Sequence, residues 1–173
     1  MQQVNIALFQ WLSAGHAPSS PWLWSAGLIV AAASWLCAGL LGLAAWRQPA
    51  QRGYAVAVLC AAGVASLMAH ALADAIAMPR PFMAGLSPNY GGHGARGSLP
   101  SAHASVMFTV ALVLCLRPAL RRTGVAVFTL ALAMGWARIH MGMHFPLDVA
   151  AGLLLALAIA ASRSSCWRSP GVS

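Results

Sequence analysis

Charge of either sign is scarce in this sequence, and two of the four charged residue types are missing. Among 173 residues there are ten arginines, no lysine, no glutamate and only two acids, Asp74 and Asp148. Charged residues make up 7% of the chain, whereas a soluble domain carries about 25%. So few charges cannot cover a water-facing surface, which excludes an ordinary soluble domain. Two carboxylates are also too few for a two-metal catalytic site, and we expect no metal and no other cofactor.

The positive charges lack the arrangement that nucleic-acid binding requires. The net charge is +8, but the arginines are scattered singly and in pairs, without a basic stripe or interleaved aromatic residues. We therefore expect no nucleic-acid partner, and we interpret the arginines as flanks of membrane spans. The first arginine is Arg47, so the N-terminal segment has no basic region and we expect no signal peptide.

Apolar residues are abundant instead, and they occur in runs of membrane-spanning length. They make up 60% of the chain, and a spanning helix needs about 20 of them in succession. The runs, of which the first two are the longest, are 22–46, 54–78, 101–117, 123–139 and 146–162. Residues 4–12 are too short to span, which favours a helix that lies in the interface or packs on the bundle. The sequence predicts one all-α membrane domain, residues 1–173, with five transmembrane helices and a short N-terminal interfacial helix.

The arginines are distributed unevenly between the two sides that five spans define. The connections 47–53 and 118–122 and the tail after 162 lie on one side. Seven arginines lie in or beside them: Arg47, Arg52, Arg117, Arg121, Arg122, Arg163 and Arg168. The other side, with the N-terminus and the loop 79–100, has only Arg80, Arg96 and Arg138. Because arginine is enriched in cytoplasmic connections, we expect a cytoplasmic C-terminus, with the N-terminus and the long loop facing outward.

Polar side chains gather at the outward end of four of the predicted spans. They are Arg80 after the second span, Ser101 and His103 at the start of the third, Arg138 at the end of the fourth, and His144 and Asp148 at the start of the fifth. Each of these side chains also has an ordinary structural role available. Serine caps helices, arginine reaches to headgroups, and a carboxylate is favourable at a helix N-terminus. Ionisable groups within spans mark functional sites by default. Their convergence from four segments favours one site.

Phosphoryl transfer by histidine is the chemistry that suits this set. Two arginines grip phosphate oxygens with paired hydrogen bonds, and the start of the third span offers free N–H groups and a positive dipole end. His144 and Asp148 are four residues apart, so on a helix that begins at Pro146 the carboxylate reaches back to the imidazole. His103 is then available as the general acid for the leaving oxygen.

Three motifs in this region resemble those of the type 2 phosphatidic acid phosphatase superfamily, which also includes vanadium haloperoxidases and glucose-6-phosphatase. They are "RP" at 80–81, "PSAH" at 100–103 and "RIHMGMHFPLD" at 138–148. The resemblance implies that His144 is the nucleophile and forms a phosphohistidine, that Asp148 orients it and that His103 protonates the leaving group. It also implies metal-free phosphate binding by Arg80, Ser101 and Arg138.

The sequence departs from the family pattern where the first motif normally has a lysine seven residues before its arginine. That position is Ala73 here. Losing a charged phosphate donor costs about 1.5–3 kcal/mol, so either activity is weakened or another group substitutes. Arg96 is our candidate for this substitute. The equal alternative is that Arg96 lies at the surface and faces water or headgroups. Asp74 and His70, one helical turn apart, have three open roles: pairing of Asp74 with an arginine, protonation of Asp74, or a bond between the two.

The expected position of the site at the membrane surface implies a lipid phosphate as substrate, reached from the outer leaflet. The small size and the forms "PRPF" and "HFPLD" look most like bacterial undecaprenyl-diphosphate phosphatases, which recycle the lipid carrier of wall synthesis at the inner membrane. A phosphatidylglycerophosphate or phosphatidate phosphatase and a lipid A phosphotransferase are the near alternatives. A non-catalytic lipid-binding membrane protein is the alternative from another functional class.

Overall fold

The computed structural model describes residues 2–16, 21–92, 94 and 96–166, with only the backbone for residues 164–166. Within these residues every regular element is helical, which confirms the predicted all-α bundle. The helices are α1 Gln2–Leu12, α2 Pro21–Arg47, α3 Arg52–Ile76, α4 Ala102–Cys115, α5 Arg121–His140 and α6 Pro146–Cys166. Short 3-10 turns, Pro49–Gln51 and Pro118–Leu120, lead into α3 and α5.

Proline and backbone geometry set the helix limits. Proline occupies the first position of α2, of α6 and of both 3-10 turns, where its missing N–H leaves no bond unmade. Helix α3 ends at Ile76; the C-cap residue Ala77 has a left-handed φ of 49°, and its N–H donates to the Ala73 carbonyl. The following residues, Met78 and Pro79, belong to the loop, so α3 ends two residues earlier than the apolar run predicts.

Helix α4 is the centre of the bundle. Nine of its 14 residues are buried, and α3, α5 and α6 pack around it. At about 1.5 Å per residue it is shorter than the hydrocarbon layer of about 30 Å. It tolerates this because neighbouring helices, rather than lipid, surround it. The other four helices after α1 are long and apolar enough to cross a membrane, so the structure agrees with a multi-pass membrane protein.

The helices define two ends of the bundle. The loop end holds α1, the start of α2, the loop 77–101, the start of α4 and the α5–α6 turn. The arginine end holds the α2–α3 and α4–α5 connections and the end of α6. Six of the seven arginines expected in the cytoplasm lie at the arginine end, and Arg168 lies outside the described residues. Which end faces the cytoplasm stays a prediction.

Helix α1 packs on the loop end of the bundle. Phe9 is fully buried, and its ring contacts Phe145 edge-on with ring centroids 5.4 Å apart. The rest of α1 is largely exposed, and Trp11 has 81% of its surface accessible. This arrangement agrees with a short helix that is packed on the bundle at the level where the spans end.

Candidate active site

A cavity of about 270 Å³ lies at the loop end, where α3, α4, α5 and the loop 77–101 meet. Its lining includes Arg80, Arg96, His103, Arg138 and His144. Ser101 lies between two lining residues, Pro100 and Ala102, and Asp148 is buried beside His144. The structure thus places all seven predicted site residues together. Their roles in catalysis stay predictions.

The ring of His144 is held at both nitrogens. Nδ1 lies 3.0 Å from the carbonyl oxygen of Ser98 and 3.3 Å from Oδ2 of Asp148. Both partners are acceptors, so Nδ1 carries the proton and donates it to them. Nε2 therefore has the lone pair, and it accepts from the guanidiniums of Arg138 at 3.2 Å and Arg80 at 3.4 Å. This is the tautomer that a nucleophilic Nε2 requires.

The surroundings of His144 also favour its neutral form. Burial lowers the pKa of His144 from 6.5 to about 4, and the positive charges of Arg138 and Arg80 act in the same direction. The hydrogen bond and negative charge of Asp148 oppose this lowering without cancelling it. At pH 7 the imidazole is consequently neutral and keeps its lone pair.

Asp148 ties the start of α6 to the start of α4. Its Oδ2 accepts the backbone N–H of Phe145 at 2.8 Å as well as the His144 contact. Its carbonyl accepts the N–H of Ser101 at 3.0 Å. The carboxylate is fully buried; its hydrogen bonds reach Oδ2, and Oδ1 has no partner within the described residues. This geometry agrees with the predicted orienting role and fixes the imidazole relative to α4.

Backbone carbonyls hold Arg80 in place. Nε donates to the carbonyl of Arg96 at 3.0 Å, Nη1 to that of Met143 at 3.3 Å and Nη2 to that of Gly97 at 3.4 Å. Burial lowers the pKa of Arg80, and the charge of Asp148 counteracts this. The sequence did not identify these carbonyls, because a loop carbonyl leaves no signature in side-chain composition.

The buried centre carries a net positive charge suited to an anion. Arg80 and Arg138 are 9% and 2% exposed and both contact His144, while Asp148 supplies one negative charge. With neutral His144 these groups sum to one positive charge. A phosphate oxygen placed at Nε2 would meet both guanidiniums, which bind phosphate with paired hydrogen bonds.

Ser101 is the N-cap residue of α4, but its hydroxyl does not cap the helix. Its Oγ is buried and has no hydrogen-bond partner within the described residues. Leaving a buried hydroxyl unpaired costs about 1–3 kcal/mol. The simple capping interpretation is therefore wrong for Ser101, and the unpaired donor agrees with the predicted contact to a phosphate oxygen.

His103 and Arg96 lie at the open side of the cavity. Both side chains are exposed and line it. An accessible imidazole in the cavity that His144 also lines suits proton exchange with a leaving group and with water. The exposed guanidinium of Arg96 is free to approach a ligand, while its backbone carbonyl supports Arg80.

Two glycines let the loops approach the site. A Cβ at Gly97 would collide with the backbone carbonyl of Ala73, so only glycine allows the loop to lie against α3 there. Gly142 has a φ of +73°, and a Cβ there would also meet the side chain of Ser87. These contacts fix the loop that supports Arg80 and the turn that carries His144.

The expected pairings of Asp74 and His70 are not formed. Nδ1 of His70 bonds the carbonyl of Ser66, one turn earlier, at 2.7 Å. Across the described residues, no ion pair or hydrogen bond joins Asp74 to His70, Arg80 or Arg96. Both side chains line the cavity. The described part of the chain also contains no cluster of three or more histidine, cysteine or acidic residues that could hold a metal ion.

Comparison with known proteins gives a family match over the part of the chain that lines the cavity. A family model described as the PAP2 superfamily matches residues 53–169. YbjG of Escherichia coli K12, provisionally named an undecaprenyl-diphosphatase, is 28% identical over 173 residues, covering 99% of this chain and 86% of YbjG. The undecaprenyl-diphosphatase BcrC of Bacillus subtilis is 31% identical over 98 residues, 56% of this chain and 50% of BcrC.

The fold also matches a solved structure. The crystal structure of Aquifex aeolicus LpxE superposes with a TM-score of 0.70 and 23% identity. The match covers 94% of this chain and 95% of LpxE. At this identity the likeness concerns the fold alone.

Proposed function

The chain belongs to the PAP2 superfamily, and from this premise we propose that it hydrolyses undecaprenyl diphosphate to undecaprenyl phosphate and phosphate. The family makes it a membrane lipid phosphatase, and the names of YbjG and BcrC support this particular lipid. The observation that carries the proposed mechanism is the position of His144 Nε2, 3.2 Å from Arg138 and 3.4 Å from Arg80.

In the first step Nε2 of His144 attacks the terminal phosphorus. The P–O bond to the lipid phosphate breaks as the N–P bond forms, and Arg80 and Arg138 transfer their hydrogen bonds from Nε2 to the phosphate oxygens. The unpaired Ser101 Oγ is available to the same oxygens, and the positive end of the α4 dipole favours them. The Ser98 carbonyl and Asp148 hold the Nδ1 proton and stabilise the positive charge that develops on the ring.

His103 serves the leaving group and then the water. It donates a proton to the departing lipid phosphate oxygen, and in the second step it removes a proton from the water that attacks the phosphohistidine. Breaking the N–P bond returns His144 to its neutral state and releases phosphate. The exposed position of His103 on the cavity wall supports both proton transfers. No metal takes part, because carboxylates for a two-metal site are lacking in the sequence.

The lipid reaches the cavity from the membrane beside α3. Asp74 and His70 line the cavity on this helix, and the neighbouring Leu72 and Ile76 are 40% and 49% exposed. Exposed apolar side chains next to a polar cavity suit a substrate with a charged head and an apolar tail. Arg96 replaces the charge that the family lysine would supply at Ala73.

The proposed setting is the bacterial inner membrane, with the N-terminus and the cavity on the periplasmic or outer face. The bias of arginines toward the opposite end of the bundle supports this orientation. The C-terminus is then cytoplasmic, and the substrate is drawn from the outer leaflet.

Phosphate release by the purified protein in detergent tests the proposal. Undecaprenyl diphosphate should be hydrolysed in the presence of EDTA, faster than phosphatidylglycerophosphate or phosphatidate, and His144→Asn should abolish most of the release. Loss of activity with EDTA would contradict the metal-free mechanism. A strong preference for another lipid would identify that lipid as the substrate. Phosphate transfer to a lipid alcohol would indicate a phosphotransferase. No turnover of any lipid would favour a binding protein.

A further inference from the structure

Helix α1 contacts the chain on both sides of His144. On one side the carbonyl of Leu12 lies 2.8 Å from His140 Nδ1, and the N–H of Ala14 donates to the His140 carbonyl at 2.9 Å. On the other side the ring of Phe9 packs edge-on against Phe145. The N-terminal segment thus spans the end of α5 and the start of α6, which are the two anchors of the turn that carries His144.

Asn5 makes the one polar side-chain contact between α1 and α6 that is recorded in the described residues. Its Oδ1 accepts the backbone N–H of Leu147 at 3.1 Å. The side chain is 7% exposed, on a helix whose other buried residue is Phe9. Only Oδ1 is bonded, and the buried Nδ2 has no partner within the described residues. A buried amide is costly in an apolar contact, so a purely packing role for this position would favour an apolar residue.

The N–H of Leu147 is one of the first-turn donors of α6 that have no partner within their own helix. Pro146 has no N–H, and the N–H of Phe145 is taken by Asp148 Oδ2. Asn5 therefore completes the cap of α6 from a different helix. The residue that it bonds lies between His144 and Asp148, so the cap sets the position of the turn from which both side chains extend.

We propose that α1 is a positioning element of the active site and that Asn5 is its key positioning residue. Asn5 touches neither His144 nor substrate. It holds the first turn of α6 so that Asp148 and the Ser98 carbonyl keep Nδ1 of His144 aligned and Nε2 aimed at the phosphate. This role rests on the proposed function, and it concerns a segment that precedes the matched residues 53–169.

Misalignment of a nucleophile lowers the rate of the chemical step more than the affinity for substrate, and a shift of about 1 Å costs up to about 100-fold. Replacing Asn5 by leucine, which is close in size but accepts no hydrogen bond, should therefore lower kcat by about tenfold and leave KM within about twofold. Asn5→Asp keeps an acceptor oxygen and places negative charge at a helix N-terminus, which is favourable. It should recover most of kcat.

The experiment compares Asn5→Leu, Asn5→Asp and the control Gln10→Leu in the full-length protein in detergent. Gln10 is an exposed amide on the same helix. Steady-state kcat and KM are combined with hydrogen exchange over residues 144–150. The expected result is a lower kcat and faster exchange in Asn5→Leu, with recovery in Asn5→Asp and no change in Gln10→Leu. A wild-type kcat in Asn5→Leu, or equal losses in all three variants, would overturn the positioning role.

Two further results keep the inference separate from the proposed function. If Asn5→Leu does not fold, Phe9→Leu loosens the contact with Phe145 while preserving apolar packing, and an unchanged kcat in that variant would overturn the proposal. If the wild-type protein releases phosphate from no lipid, the proposed function fails. The positioning role is then decided by hydrogen exchange, where unchanged exchange over residues 144–150 in Asn5→Leu would refute it.

Discussion

The buried neutral His144 makes the stability of the protein depend on pH in a predictable direction. In the unfolded chain a histidine binds its proton near pH 6.5, whereas in the folded protein His144 does so only near pH 4. Between these values the unfolded state holds more protons, so the free energy of unfolding falls as the pH is lowered. The gap between 6.5 and about 4 corresponds to about 3 kcal/mol.

The matched variant His144→Gln isolates this contribution, because glutamine has an amide of similar reach and no titrating group. We expect the wild type to lose about 3 kcal/mol more stability than His144→Gln between pH 7 and pH 4. Thermal midpoints of both proteins in a phosphate-free detergent buffer measure the difference, since bound phosphate would raise the pKa of His144. Parallel loss of stability in the two proteins would refute the assignment of a buried neutral imidazole.

In the proposed mechanism the same pKa sets the acid limb of the pH–activity profile. At pH 5.5 a histidine with an ordinary pKa is about 10% neutral, whereas one with a pKa of about 4 is almost entirely neutral. The pH dependence of kcat/KM reports the ionisations of the free enzyme. Protonation of His144 should therefore not lower kcat/KM until the pH falls below about 5. Arg138→Gln removes a charge that lowers this pKa, so it should move the limb to higher pH, while a limb due to substrate ionisation stays in place. A wild-type limb near 6.5 that Arg138→Gln does not move would contradict the account.

Three other outcomes follow from the geometry. His103→Asn should lower kcat by about 100-fold or more, because a positioned acid–base group is lost. Inorganic phosphate should still protect this variant against thermal unfolding. Unchanged turnover would remove His103 from the mechanism. Ala73→Lys should do little alone but restore activity to Arg96→Ala, measured as kcat/KM, and a failure of this rescue would show that Arg96 does not replace the family lysine. In a cysteine-free background, an impermeant thiol reagent should label Met83→Cys but not Ala119→Cys in intact cells, and the reverse pattern would invert the proposed orientation.

The bundle could be predicted from the sequence because hydrocarbon demands long apolar helices. Even α4 was recognised, although it is 14 residues long, since its apolar run continues into the flanking turns. The meeting of Arg80, Arg138 and His144 also followed from the sequence, because alternate spans end on the same side of a membrane. A topological argument of this kind needs no knowledge of side-chain contacts.

The details of the site could not be predicted, because backbone groups supply many of its contacts. The carbonyl of Ser98 lies closer to His144 Nδ1 than Asp148 does, and no side-chain pattern identifies a carbonyl. The spacing of His70 and Asp74 allows a mutual bond, but Nδ1 of His70 bonds the carbonyl of Ser66. The contact of Asn5 with Leu147 joins residues 142 positions apart, so local patterns could not reveal it.

Phosphorylation of His144 is the central claim, and a rapid quench in base followed by peptide mass spectrometry tests it most directly. The account predicts an acid-labile, base-stable phosphate on the His144 peptide after the wild type meets its lipid diphosphate. It also predicts no phosphopeptide in His144→Asn. Phosphate on a different residue of the active enzyme would contradict the account, and so would undiminished turnover by His144→Asn.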